Sequence, residues 1–514
     1  MKMFACELKC EAEELINVYD MVSFCYDYLM DHVSNEANFI ACYILENENT
    51  SVSNVNLKKL GHFQDDVRKI LRNQEDKGWM FDQCVGKIAK LSEKIENNMK
   101  DFGDTELNNA TIPFFILMAV NVYIPEKRDI ITESGPLNKG YQKNTYVYLN
   151  INHDLLQQAA YELDFGDTIE SETIRKQLNH LHILKKSELP ENAEPLKIVQ
   201  MRIRDSDLTK KKIVESKKLK IAVIPFSREK MLEFPAITGA AFRVVYNDWH
   251  KSNGVNWALR LLEKAIKERA NIIIFPEYIC DSSIQDEIQK YLRDQTLNNP
   301  KKMKNLFLVI AGTAWTADDN NVSVLYRFDG MEFGKQYKCE QFSNLRNENR
   351  PMMEGLANPG KESIMVDIDG IGKIMVAICR DISNREGAKR MTEIFKPQFL
   401  LVPAWSPSVH KGFREQLKEV VNFNYHTCSV VCNCCESLEI KGFKGFKEEN
   451  GIAVFPYKED SVVIGKEKML CREKNKCTEK CQEGGCLFMV ECDFLTESVQ
   501  KGQLIRKIKH VYLD

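Results

Sequence analysis

The sequence predicts an α/β protein: residues 219–514 fold as two packed sheets with helical outer layers, a four-layer αββα sandwich, behind a mainly α-helical part over residues 1–190. Three observations carry this reading. Apolar residues recur at helical spacing through the first third, the text turns polar over 191–218, and after residue 219 short apolar runs outnumber helical stripes.

From residue 11 to about 125 the pattern is helical, and Phe81, Cys84, Ile88, Leu91 and Ile95 fall three or four apart to make one apolar stripe. A strand-like run over Tyr146–Ile151 follows, then helical stretches from about 153 and from about 169, the latter opened by Asp167 with Glu170 three residues on. Residues 191–218 carry Pro195 and the basic cluster Lys210–Lys212, and they read as a polar linker. Leu219–Pro225 then reads as a strand, and Leu259, Leu262, Ile266 and Ala270 as a helical stripe leading into the run Ile272–Phe275. Further strands are expected at Leu306–Ala311, Val322–Phe328, Ile364–Ile368, Ile374–Ile378, Phe399–Val402, Ser429–Cys432 and Ile452–Phe455.

Composition excludes several classes. With 44% hydrophobic and 28% charged residues in 514, the chain is globular, and 71 Lys+Arg against 74 Asp+Glu supply no chain-wide attraction for nucleic acid or anionic lipid. Acidic residues interrupt the first residues before a signal-peptide core builds up, and the longest apolar stretch, Ile112–Ile124, is short of the ~20 residues that span a bilayer. The seventeen cysteines then read as reduced thiols in a cytoplasmic setting.

Three polar residues close apolar runs, where α/β folds place reactive groups. Glu277 ends Ile272-Ile273-Ile274-Phe275-Pro276-Glu277, Lys338 lies just past the Val322–Phe328 run, and Cys379 ends Ile374-Met375-Val376-Ala377-Ile378-Cys379 ahead of Arg380-Asp381. A thiol that titrates near 8.5 needs a base or a cation to become a nucleophile, and a carboxylate and a lysine supply one of each. In the order Glu, Lys, Cys, with Phe275-Pro276-Glu277, Ile378-Cys379-Arg380-Asp381 and Glu354 ahead of Pro359-Gly360, the stretch 219–495 resembles the nitrilase, or carbon–nitrogen hydrolase, superfamily. It departs from that family's pattern in having Pro225-Phe226 after the first strand, Arg380 after the cysteine, and Tyr337 adjacent to Lys338, which leaves Lys335 as a competitor.

The resemblance implies a thiol hydrolase of carboxamides or related C–N bonds acting through a thioester on Cys379, with Glu277 as base and Lys338 meeting the oxyanion. It implies Glu354, Arg380 and Trp405 in supporting or substrate-binding roles, no cofactor, a small-molecule amide as substrate and a homo-oligomer. Amide-forming acyl transfer is the alternative within enzymes, and a partner-regulated assembly or signalling module the alternative outside them. Residues 1–190 hold no chemical constellation and are expected to bind a protein partner. Cys471, Cys477, Cys481 and Cys486 could offer four thiolates to zinc, but their spacing does not repeat the paired CxxC of zinc sites, so 471–486 is expected to be a cysteine-bearing surface insertion without metal.

Overall fold

The computed structural model describes residues 4–15, 17–32, 62–73, 80–99, 105–123, 145–149, 181–186, 197–201, 218–226, 231–236, 241–342, 345–347, 350–360, 363–368, 371–383, 392, 397–406, 413, 416–417, 427–434, 451–454, 485–493 and 505–512. The chain forms two compact units, Met1–Leu189 and Pro190–Asp514.

The first unit holds helices Phe4–Cys10, Val18–His32, Phe81–Met99 and Thr105–Tyr123, another over 62–73, and two antiparallel strands, β1 (Thr145–Leu149) and β2 (Leu181–Lys185). Asn17 opens its second helix by accepting the backbone N–H groups of Tyr19 (2.9 Å) and Asp20 (3.0 Å) through Oδ1. The expected stripe is real: Phe81, Cys84 and Ile88 are buried, and Leu91 and Ile95 pack against the same core. Among the described residues no helix is long and apolar enough to cross a membrane. The helical stretches expected from 153 and 169 lie outside the described residues.

The second unit is a sandwich of two sheets. Its strands are β3 (Lys197–Met201), β4 (Lys218–Val223), β5 (Leu232–Glu233), β6 (Ala241–Phe242), β7 (Val245–Tyr246), β8 (Ile272–Ile274), β9 (Leu308–Trp315), β10 (Asn321–Arg327), β11 (Glu332–Tyr337), β12 (Leu345–Asn347), β13 (Arg350–Glu354), β14 (Ile364–Ile368), β15 (Gly372–Val376), β16 (Phe399–Ala404), β17 (Cys428–Asn433), β18 (Gly451–Val454), β19 (Cys486–Asp493) and β20 (Ile505–Tyr512). One large sheet runs β11-β10-β9-β8-β4-β19-β20 and the other β18-β17-β16-β15-β14-β3, while β12-β13-β6 and β5-β7 form two small sheets.

Alternation along each strand builds the layers. Ile221, Val223, Ile272, Ile274, Leu308 and Ile310 of the first sheet meet Val366, Ile368, Ile374, Val376, Leu401 and Val430 of the second in one core. Ala222, Ile273 and Val309 turn the other way, onto Leu261, Leu262 and Ala265 of helix Asp248–Lys267 and Ile284 and Ile288 of helix Ser282–Asn298. Burial on both faces explains why these strands read as unbroken apolar runs. On the second sheet, Met365, Met375 and Val431 are buried as well.

Two expectations are corrected here. Lys197–Met201 is no linker: it pairs in parallel with Ile364–Ile368 as an edge strand, Ile198 beside Met365 and Val199 beside Val366. The short polar-flanked run concealed it, because an edge strand needs little apolar length. Cys486 is no part of a surface insertion: it opens β19, is 5% exposed and lies in the core between the sheets. Cys471, Cys477 and Cys481 lie outside the described residues.

Candidate active site

Parallel strands deliver the reactive residues to one end of the sandwich. β4, β8 and β9 run parallel in the first sheet, as do β15, β16 and β17 in the second, so the residues that follow β8, β15 and β16 emerge together. β10 runs antiparallel to β9 and β11 antiparallel to β10, which returns the start of β10 and the end of β11 to that same end. Glu277, Cys379, Trp405, Asn321 and Lys338 are those residues. Glu277 N–H donates to Ala404 O at 3.3 Å, joining the loop after β8 to the end of β16 across the two sheets.

Gly312 makes room for the Glu277 loop. A bulge in β9 opposite β10 places it at φ 59, where its backbone passes Pro276 and Thr313 N–H reaches Pro276 O at 3.2 Å. A Cβ there would stand 2.5 Å from Pro276 O and 3.0 Å from Cys280 Sγ. Gly312→Ala is therefore expected to lower stability by more than the ~1–2 kcal/mol that a left-handed φ costs an L-residue, read as a drop in the urea midpoint.

Glu277 is fully buried and each of its oxygens is used. Oε1 accepts Lys338 Nζ at 2.6 Å and Asn321 Nδ2 at 2.9 Å, and Oε2 accepts the Trp405 backbone N–H at 2.9 Å. The Cys379 thiol is close enough to this carboxylate that the Glu277 charge raises the thiol's pKa. Burial raises the Glu277 pKa, and the Lys338 charge opposes that rise while the neighbouring Glu354 charge adds to it.

Lys338 is 1% exposed, whereas Lys335 is exposed: the period-two alternation of β11 turns Gln336 and Lys338 inward and Lys335 and Tyr337 outward. Beyond Glu277, its Nζ lies 2.7 Å from Glu354 Oε2 and 3.4 Å from Tyr278 Oη, and 5.4 Å from the centre of the Tyr278 ring. Burial works against the ammonium, but the two carboxylates outweigh it and hold the group above the ordinary lysine value. Glu354 is itself fixed, accepting Tyr278 Oη–H at 2.6 Å, Asn321 Nδ2 at 3.1 Å and the Phe342 backbone N–H at 3.0 Å.

Cys379 is 3% exposed and sits at φ 48, a left-handed conformation that a side chain rarely adopts and that often marks a functional position. Burial and the Glu277 charge push its thiol well up, against Lys338 and the Trp405 N–H. Asp381 fixes the turn. Its Oδ1 accepts Cys339 N–H (2.9 Å) and Glu340 N–H (2.8 Å) and its Oδ2 accepts Ile378 N–H (3.0 Å), tying the residues after Lys338 to the residue before Cys379. Burial pushes the Asp381 carboxyl up to about 7 even so.

Trp405 is buried beside the site, its ring 4.7 Å from Phe234 and 6.0 Å from Tyr278, and Arg380 is half-buried next to Cys379. The structure thus brings Glu277, Lys338, Cys379, Glu354 and the Trp405 backbone together and adds Asn321, Tyr278 and Asp381, which sequence reasoning did not single out. The usable signal for Asn321 was topological: the first residue of a strand antiparallel to β9 must lie at the end where Glu277 emerges. Among the described residues no group of His, Cys, Asp and Glu could hold a metal ion.

No family model and no curated protein matches the sequence. The chain is similar to solved structures of the nitrilase superfamily. Saccharomyces cerevisiae Nit3, of branch 10 of that superfamily, is 15% identical, with a TM-score of 0.33 over 58% of this chain and 90% of its own. A mutant of the Nesterenkonia AN1 amidase from the same superfamily is 13% identical, with a TM-score of 0.32 over 46% of this chain and 84% of its own. Another mutant of that amidase, which carries acrylamide added at its active site cysteine, is 12% identical, with a TM-score of 0.30 over 46% and 85%.

Proposed function

We propose that the second unit hydrolyses a carboxamide or related non-peptide C–N bond through a thioester on Cys379. The observation that supports this most is Glu277, a buried carboxylate hydrogen-bonded to a lysine ammonium at 2.6 Å and near enough to the Cys379 thiol to raise its pKa. The Cys379 S–H proton passes to Glu277 as sulfur attacks the substrate carbonyl carbon. The oxyanion that forms is met by Lys338 and by the backbone N–H of Arg380. Two of the three ammonium N–H groups are committed to Glu277 and Glu354; among the described residues the third has only the 3.4 Å contact with Tyr278, and this is the one an oxyanion would take up.

Collapse of the tetrahedral species breaks the C–N bond, and the leaving amine takes the proton from Glu277. The restored carboxylate then activates a water that attacks the thioester, releasing the acid and returning the proton to sulfur. Glu354 orients Lys338 and adds the negative charge that helps keep Glu277 basic. Ammonia release from a panel of small primary amides tests this reading. The wild-type protein should release it from at least one amide and Glu277→Gln from none; equal release by both would remove Glu277 as the proton carrier.

A further inference from the structure

The site buries two carboxylates against one ammonium. Glu277 and Glu354 share Lys338 at 2.6 and 2.7 Å, and the remaining compensation comes from neutral donors. Asn321 is the one side-chain amide among them, and it gives Nδ2 to both carboxylates, at 2.9 Å to Glu277 Oε1 and 3.1 Å to Glu354 Oε1. With both N–H groups committed the amide can take only one orientation, and its Oδ1, buried, accepts no hydrogen bond among the described residues. An unsatisfied buried oxygen destabilises the fold, so packing alone does not account for an asparagine here.

We infer that Asn321 is a positioning residue that sets the basicity of Glu277, its two N–H groups standing in for a second cation between the carboxylates. This rests on the reading of Glu277 as the proton acceptor for Cys379. The groups facing Glu277 are Lys338 after β11, Glu354 at the end of β13, Cys379 after β15, the Trp405 N–H after β16 and Tyr278 next in the chain, with Asp381 acting on Lys338 from behind. Without Asn321, Glu354 keeps three partners among the described residues, Lys338, Tyr278 Oη and Phe342 N–H, whereas Glu277 keeps two, Lys338 and Trp405 N–H. The loss therefore falls mainly on Glu277. A donor removed from a carboxylate favours its protonated form, and a hydrogen bond to a charged group corresponds to a shift of about 1–2 pH units.

The test is the pH dependence of Cys379 alkylation by iodoacetamide in the full chain, read by peptide mass. Wild type should show an acid limb that Glu277→Gln abolishes. Asn321→Ala should move that limb upward by about 1–2 pH units, and Asn321→Ser, which keeps one donor, upward by less. An unmoved limb in a folded Asn321 variant overturns the inference, as does loss of the folded state in both variants, which would make Asn321 a structural residue. A limb that persists in Glu277→Gln overturns the role of Glu277 itself, a distinct failure.

Discussion

Cys379→Ala is expected to abolish turnover and to leave the protein folded. The change removes the proposed nucleophile and only a small side chain, at the start of the helical turn Cys379–Ser383, and Asp381 holds that turn through the backbone of Ile378, Cys339 and Glu340. Loss of a covalent nucleophile typically lowers kcat by about 10⁴-fold or more, while the stability cost should stay near 1 kcal/mol, the ordinary scale for a single substitution. Ammonia release and the thermal midpoint, measured on the same preparation, check both halves. Retained turnover would eliminate the covalent mechanism, and a collapsed midpoint would make Cys379 a core residue.

Lys338→Met should damage both activity and stability, and in a pH-dependent way. The replacement fills similar volume but leaves Glu277 and Glu354 buried beside one another with no cation. Removing one partner of a buried ion pair costs about 3–5 kcal/mol, and a lost oxyanion donor lowers rate by about 10²–10³-fold. The sign of the pH effect follows from the carboxylates. Unpaired and buried, Glu277 has a folded pKa raised above its unfolded one, so the variant is least penalised at acid pH and loses stability as pH rises through that raised value. Urea midpoints at acid and neutral pH, compared with wild type, read this out. A penalty independent of pH would mean that the two carboxylates do not share Lys338 in solution.

The strands of the second unit were legible where both faces are apolar. Ile272–Ile274 and Phe399–Ala404 are buried on every residue and announce themselves as continuous runs. β19 and β20 are not legible in the sequence because they join the first sheet from the far end of the chain: Phe488 pairs with Val223 and Glu491 with Lys220, and such a non-local partner leaves no mark in local sequence. β3 was hidden by its polar flanks.

The site divides the same way. Glu277, Lys338 and Cys379 each close an apolar run or follow one, so their positions were visible. The choice of Lys338 over Lys335 needed the register of β11, in which alternate residues turn inward. Asn321 sits among the polar residues Asp318-Asp319-Asn320-Asn321 and looks like turn sequence; only the antiparallel return of β10 makes it a neighbour of Glu277. Asp381 belongs to a motif that was noticed, but its work is done on the backbone of three residues, two of them some forty positions away.

The covalent intermediate tests the central claim most directly. The full chain, incubated with an amide from which it releases ammonia and quenched in acid, should carry the substrate's acyl group on the peptide containing Cys379, as a hydroxylamine-labile mass increase. Glu277→Gln should accumulate none from the same amide. Ammonia release with no adduct on Cys379, or with the acyl group on a different cysteine, would contradict the assignment.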